Sequence, residues 1–230
     1  MKKLSLLIII AFIASNAFSQ KFTGGIAVSP IISYMKPDIS KKVENNKMKF
    51  GFNVGLVGDI NLTKNFAIST GINVNNFGGS LKYTDSIASF SVDLGTSDTA
   101  YSLNSGAIVD YKLQFVEIPI SIKGKTNEIG YMTYFLRAGI NPMFRWKAKG
   151  IVNGGTIADN ESIKKEVAPL FMAYNIGGGF YYSLGGSTKL MVEVVYKNGL
   201  TDITKTTFYN VSKSDKIILN SISLRVGILF

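Results

Sequence analysis

What most constrains this chain is where its apolar residues fall. Past the N-terminus they take every second position, segment after segment, and form no long continuous run. The clearest case is KIILNSISLRVGILF at 216–230. Ile218, Ile222, Leu224, Val226, Ile228 and Phe230 share one face with Asn220, while Leu219, Ser221, Ser223, Arg225, Gly227 and Leu229 share the other. A period of two marks a strand with two different environments. A soluble sandwich or barrel would turn the aliphatic face inward. A membrane barrel turns it outward to lipid and fills its lumen with small and polar side chains.

The same alternation recurs in FTGGIAVSPIISY (22–34), FGFNVGLVGDINL (50–62), FAISTGINVNNF (66–77), VEIPISIK (116–123), MTYFLRAGINPMF (132–144), LFMAYNIGGGFYYSL (170–184) and LMVEVVYK (190–197). With the terminal segment this predicts eight strands, an even number that suits a single-chain outer-membrane barrel. The connections alternate in length. LTKN near Thr63, GKTNEIG at 124–130 and LGGST at 184–188 are short turns, rich in the residues that turns favour. Longer polar segments lie between them, at about 36–47, 78–110, 148–166 and 198–215. Short on one side and long on the other fits periplasmic turns and extracellular loops, with both chain ends periplasmic. The segment 78–110 is too long for a plain loop. SLKYTDS and AIVDYKL are expected to extend their strands above the membrane as a projecting hairpin. Pro30, Pro119 and Pro142 lack a ladder donor, so each is expected at a bulge or a strand end.

The N-terminus, MKKLSLLIIIAFIASNAFSQ, has a basic start, an apolar stretch from Leu4 to Ala14 and the small-x-small triplet Ala17-Phe18-Ser19. It predicts a cleaved signal peptide over 1–19, with Gln20 as the mature N-terminus and a barrel domain over 20–230. The apolar stretch falls short of the roughly 20 residues a spanning helix needs. Only 17% of residues are charged, yet mean hydropathy is +0.20. Apolar on average without a long apolar run is what alternation in a membrane barrel produces. Net charge is +10, but export argues against nucleic acid as a partner. Lys36, Lys41, Lys42 and Lys47 cluster in one loop segment, either as a solvated loop or against lipid phosphates.

Charge placement selects the lumenal face. Asp59, Glu117, Arg137, Glu193 and Arg225 all lie on the small-residue face, and none lies on the aliphatic one. Tyr34, Phe52, Phe66, Tyr134, Phe144, Tyr182, Tyr196 and Phe230 sit near strand ends on the aliphatic face, where they would form interfacial girdles. The expected fold is all-β: an eight-stranded antiparallel up-and-down transmembrane β-barrel in the bacterial outer membrane. The last strand must close it against the first, because an unpaired edge in lipid leaves backbone groups unsatisfied.

The chain has no cysteine and no histidine. Nucleophilic sites built on Ser-His-Asp or Cys-His are thereby excluded, and zinc loses its main ligands. Glu117 and Glu193 could form an acid/base pair. An interior network of Glu117, Arg137, Glu193 and Arg225 accounts for all four instead, since a charge in a narrow lumen must be paired. Strand order makes Glu117–Arg137 and Glu193–Arg225 the expected neighbours. GGGFYYSLGG at 177–186 lacks the Lys-Ser/Thr of a phosphate loop, so its glycines are read as relieving crowding or letting strands bend. No enzyme, cofactor or metal is expected.

YKLQFVEIPISIKGK (111–125) resembles the PorT-like outer-membrane β-barrel family of gram-negative bacteria, in which a YLEIPL-K type strand follows the longest loop. Val116 here replaces the family's Leu. FLRAGINPMF (135–144) resembles the family's next strand, which reads G-P. The resemblance covers the chain loosely, in strand spacing and the terminal Phe230, and implies fold more than function. One member is tied to protein secretion. The terminal strand also resembles the signal read by the barrel-assembly machinery, which would make Leu224, Val226, Ile228 and Phe230 its determinants. The expectation is a small monomeric barrel surrounded by outer-membrane lipid, structural or acting through loops 78–110 and 148–166 on an extracellular or secretion-system protein partner. The alternatives are an accessory of secretion, a narrow pore and, last, an enzyme acting on lipid.

Overall fold

Alternation this regular folds into long paired strands. The computed structural model describes residues 22–37, 42–94, 98–205, 207–208 and 216–230; the expected signal peptide and its cleavage site lie outside the described residues. The strands are β1 (Phe22–Pro37), β2 (Val43–Lys47), β3 (Lys49–Asn61), β4 (Phe66–Tyr83), β5 (Ile87–Asp93), β6 (Asp98–Leu103), β7 (Ile108–Glu117), β8 (Ile120–Lys125), β9 (Met132–Val152), β10 (Ala158–Ser162), β11 (Leu170–Gly185), β12 (Thr188–Gly199), β13 (Thr207–Phe208) and β14 (Ile217–Leu229). The ring runs β1, β3, β4, β7 with its continuation β8, β9, β11, β12 and β14, all antiparallel, and β14 pairs back onto β1.

Closure is complete at the short-turn end. Ile26 pairs with Ile228 and Val28 with Val226. The Phe230 N–H donates to the Gly24 carbonyl at 2.7 Å, so the last residue still belongs to the ladder and no edge meets lipid. One of the three prolines falls at a strand end as expected; Pro30 and Pro142 instead lie inside β1 and β9, in register with Phe52 and Met172 and without a bulge. Pro119 separates β7 from β8, and Ile118 N–H reaches across to the Pro142 carbonyl at 3.1 Å. Pro30 lies in the gap of the β1–β14 register, between Val28↔Val226 and Ile31↔Ser223.

The faces separate as their chemistry requires. Leu136, Ile122, Ile26, Leu56, Ile176 and Val194 point out, with Leu136 72% and Ile122 69% exposed. Asp59, Glu117, Arg137, Glu193 and Arg225 point in and are buried. In water such an exterior would aggregate; against acyl chains it is solvated.

The long-loop side is more ordered than loops. β4 and β7 stay paired out to Lys82↔Ile108, as the long segment suggested. The hairpin β5–β6 does not project: Ile87, Phe90, Val92 and Leu103 are fully buried and share one core with inward-facing Met35, Phe77, Tyr111 and Phe171. β10 pairs with both β9 and β5, β13 pairs with β5, and β2 pairs with the end of β4. Much of the predicted loops 36–47, 78–110 and 148–166 is therefore strand, and the parts of 36–47 and 198–215 that are not given above lie outside the described residues. An exposed hairpin would leave four large apolar side chains in water; folding inward removes them from it.

Candidate functional site: a charge ladder under an apolar plug

Inward-facing positions on successive strands stack into layers. Three carboxylates and four cations are buried within the ring: Asp59 (β3), Glu117 (β7), Glu193 (β12), Lys123 (β8), Arg137 (β9), Lys197 (β12) and Arg225 (β14). They form three tiers. In the lowest, Lys123 Nζ donates to both Asp59 oxygens, at 2.8 and 2.7 Å, and to the Tyr181 hydroxyl at 2.6 Å. The Tyr181 hydroxyl in turn donates to Asp59 Oδ2 at 2.9 Å. Phe135 stacks on Tyr181 with ring centroids 4.5 Å apart, and the Lys123 ammonium lies 4.9 Å from the Phe135 ring centre. A buried ammonium is thus met by a carboxylate, a hydroxyl and an aromatic face.

Glu193 occupies the middle tier. Arg137 Nε donates to its Oε1, and Arg225 Nη1 stands 3.9 Å from its Oε2. Glu193 and Arg225 are direct cross-strand partners, but Arg137 reaches Glu193 over the intervening strand β11. That strand presents Gly177 opposite Arg137 and Gly179 opposite Glu193. A Cβ on Gly177 would sit 2.6 Å from Glu193 Oε1. The glycine run in GGGFYYSLGG is therefore clearance for an ion pair that spans a strand.

Glu117 forms the upper tier. Its carboxylate accepts from Lys197 Nζ and from the amides of Asn73, Asn75 and Asn141, the amides at 3.1, 2.9 and 2.8 Å. Asn175 extends the tier by bonding Asn141 and Ser121. Four donors replace the water that a carboxylate loses on burial.

The four network residues expected from the sequence all face the lumen, and Glu193–Arg225 are neighbours as expected. Glu117–Arg137 are not. Glu117 pairs in register with Met143, whereas Arg137 pairs with Lys123. Six residues along β9 at about 3.3 Å per residue put roughly 20 Å between the two depths, and Glu117 takes Lys197 instead. Sequence reasoning left Lys123 and Lys197 out of the network, although both lie on the small-residue face, and it passed over Tyr181. The parity that placed Glu193 places all three. Leu224, Val226, Ile228 and Phe230 all face outward on the lipid side.

Above Glu117 the interior turns apolar. Phe77 stacks on Phe115 at 5.7 Å, and Phe171 meets Phe115 edge-on at 6.3 Å. Met35, Leu113 and Met143 fill the same layer, and Phe90 and Val92 of the hairpin continue it upward. Among the described residues, no group of three or more His, Cys, Asp or Glu is arranged to hold a metal ion.

A closed ring with an aliphatic exterior and an ion-paired interior defines a transmembrane β-barrel of the outer-membrane type. The chain belongs to the outer membrane protein beta-barrel domain family, whose model matches residues 14–205, and it is a protein of the gram-negative outer membrane. No curated protein matches the sequence. Solved structures similar to it include Neisserial surface protein A (9% identity, 90% of this chain and 96% of that one, TM-score 0.47). Ail, the attachment invasion locus protein of Yersinia pestis, is similar at 14% identity over 91% of this chain and 99% of that one, TM-score 0.43. OprG of Pseudomonas aeruginosa is similar at 13% identity over 90% and 92%, TM-score 0.42.

Proposed function

We propose that the protein is a closed, monomeric barrel that holds a folded extracellular cap as an interaction surface and carries out no catalysis. The observation that carries this reading is the plug: Phe115, Phe171, Met143 and the hairpin residues Phe90 and Val92 fill the outer half of a ring already too narrow for an open channel. The polar tiers below support it, because Asp59 and Glu117 are each held by a cation and further donors and Glu193 lies between two arginines, rather than being offered to a substrate. The partner is an extracellular protein met by the cap, and cofactors have no part in it. Reconstitution in a planar bilayer tests the reading. No steady ionic current is expected from the intact barrel, and an ohmic current would replace the scaffold with a narrow pore.

A second reading is favoured by the strand QFVEIPISIK, which resembles the PorT-like branch of outer-membrane barrels: an accessory role in protein secretion. Deleting the gene and comparing exported proteins tests it, with unchanged export counting against it. The outward-facing row Leu224, Val226, Ile228 and Phe230 supports recognition by the barrel-assembly machinery during biogenesis. Removing Phe230 should slow machinery-assisted folding more than spontaneous folding into detergent, and equal slowing of both would remove that role.

A further inference from the structure

A second feature lies on the outer wall, away from the lumen and independent of the reading above. Lys49, Lys112, Lys147 and Lys149 line one cavity of about 280 Å³ on the lipid-facing surface of β3, β4, β7 and β9. The register forces this crowding. Lys112 stands directly opposite Lys149, and Gln114 opposite Lys147. Like charges facing one another across a strand pair repel, and among the described residues none of the four lysines is ion-paired. Asp110 is the acidic group whose field reaches Lys49. The lysines are nevertheless held in place. Lys49 Nζ donates to the Tyr111 carbonyl at 3.2 Å, Lys112 Nζ donates to Asn160 Oδ1 at 3.1 Å, and Gln114 Nε2 donates to Asn76 Oδ1 at 3.0 Å across the cavity floor.

Depth selects the occupant. On the periplasmic side of the lysines, Phe50 and Phe52 stand out from β3, 82% and 56% exposed, and Val54 and Leu56 continue the strip into the aliphatic belt. The lysines therefore sit just outside the hydrocarbon on the extracellular side, at the level of outer-leaflet headgroups. A ligand that satisfies both parts carries several negative charges on a headgroup and acyl chains beneath. We infer that this cleft binds the phosphates of an outer-leaflet phosphorylated glycolipid (lipid A) between Lys49, Lys112, Lys147 and Lys149, with its acyl chains along Phe50 and Phe52. The bound phosphates relieve the Lys112–Lys149 repulsion that the strand register imposes, so lipid and barrel stabilise one another. Lys36, Lys42 and Lys47, the basic cluster prominent in the sequence, do not line this cleft.

The test has a built-in reporter, since the chain's one tryptophan, Trp146, is exposed on β9 next to Lys147. Folded protein in a non-ionic detergent is titrated with bisphosphorylated lipid A, with the same lipid dephosphorylated, and with inorganic phosphate, while Trp146 emission is followed. A saturable change with bisphosphorylated lipid A alone is expected. Its affinity should fall with rising salt and drop on the order of a hundredfold in K112Q/K147Q/K149Q, given what each basic residue contributes near an anionic surface. Folding of that variant is checked by its heat-modifiable gel mobility. If it misfolds, the single variants K112Q and K149Q take its place, each expected to weaken binding several-fold. Equal binding of the dephosphorylated lipid, saturation by inorganic phosphate in its place, or unchanged affinity in the folded lysine variants would each overturn the assignment. K64Q/K189Q, at the periplasmic mouth, should bind as the unaltered protein does.

Discussion

The two halves of the barrel interior obey opposite rules. The half at the short-turn end is a ladder of ion pairs, each carboxylate facing at least one cation. The half at the long-loop end is packed with Phe77, Phe115, Phe171 and Met143 and continues without a break into the cap. The same strands build both. β4 turns inward Asn73 and Asn75, then Phe77 and Leu81; β11 turns inward Phe171, then Asn175 and Tyr181. The difference teaches what each half contributes. Apolar packing tolerates rearrangement and loses stability in proportion to the volume removed. A buried charge network tolerates very little, because removing one partner strands another. The ladder therefore fixes the geometry of the ring, and the plug attaches the cap to it.

The sharpest way to break this contrast is Glu193→Ala. It strands Arg137 and Arg225 in the lumen, and a cost of about 3–5 kcal/mol is expected, read as a lower urea midpoint for unfolding from lipid vesicles. A loss under about 1 kcal/mol would mean that solvent already screens the middle tier. Next comes Phe90→Ala, in the plug. About 3–4 kcal/mol of cap packing should be lost, but the ring should stay intact. Protease should then cut between Tyr83 and Ile108 while the barrel keeps its heat-modifiable mobility. If the ring unfolds together with the cap, the two halves are one cooperative unit and the comparison fails.

Tyr181→Phe keeps the ring stacked on Phe135 but removes the hydroxyl shared by Asp59 and Lys123, at an expected cost of about 1.5–3 kcal/mol. Combined with Asp59→Asn, its effect should shrink, because the charge it serves is gone; strict additivity in that double-mutant cycle would deny the coupling. The smallest change is Gly177→Ala. Its methyl group meets Glu193 Oε1 at 2.6 Å, and displacing that carboxylate should cost about 1–3 kcal/mol. The diagnostic is dependence on Glu193: in the Glu193→Ala background the same alanine should be nearly neutral.

Much of this was legible in the chain. Period-two alternation, the short-long rhythm of the turns and the confinement of charge to one face define an eight-stranded membrane barrel, and the structure has that ring. The inward direction of Glu117, Arg137, Glu193 and Arg225 was equally plain. The pairing of Glu117 with Lys197 was not, since it depends on relative depth, which the stagger between strands sets. The bulge between Gln114 and Phe115 reverses parity along β9, so that Arg137, Asn141 and Met143 face inward below it while Ala148 and Val152 do so above. Alternation counted along one segment does not cross such a point. The fold of the hairpin was also hidden, because Phe90 and Val92 resemble any exposed strand until the barrel mouth is there to receive them.

What the sequence determined alone is the sidedness of each unbroken membrane-spanning run, because parity is a local property of the extended backbone and lipid rewards only one choice. What the tertiary structure decided is which inward residues meet. Strand tilt, stagger and the clearance left by Gly177 bring together groups that are 56 positions apart in the case of Arg137 and Glu193, and no local pattern records that distance.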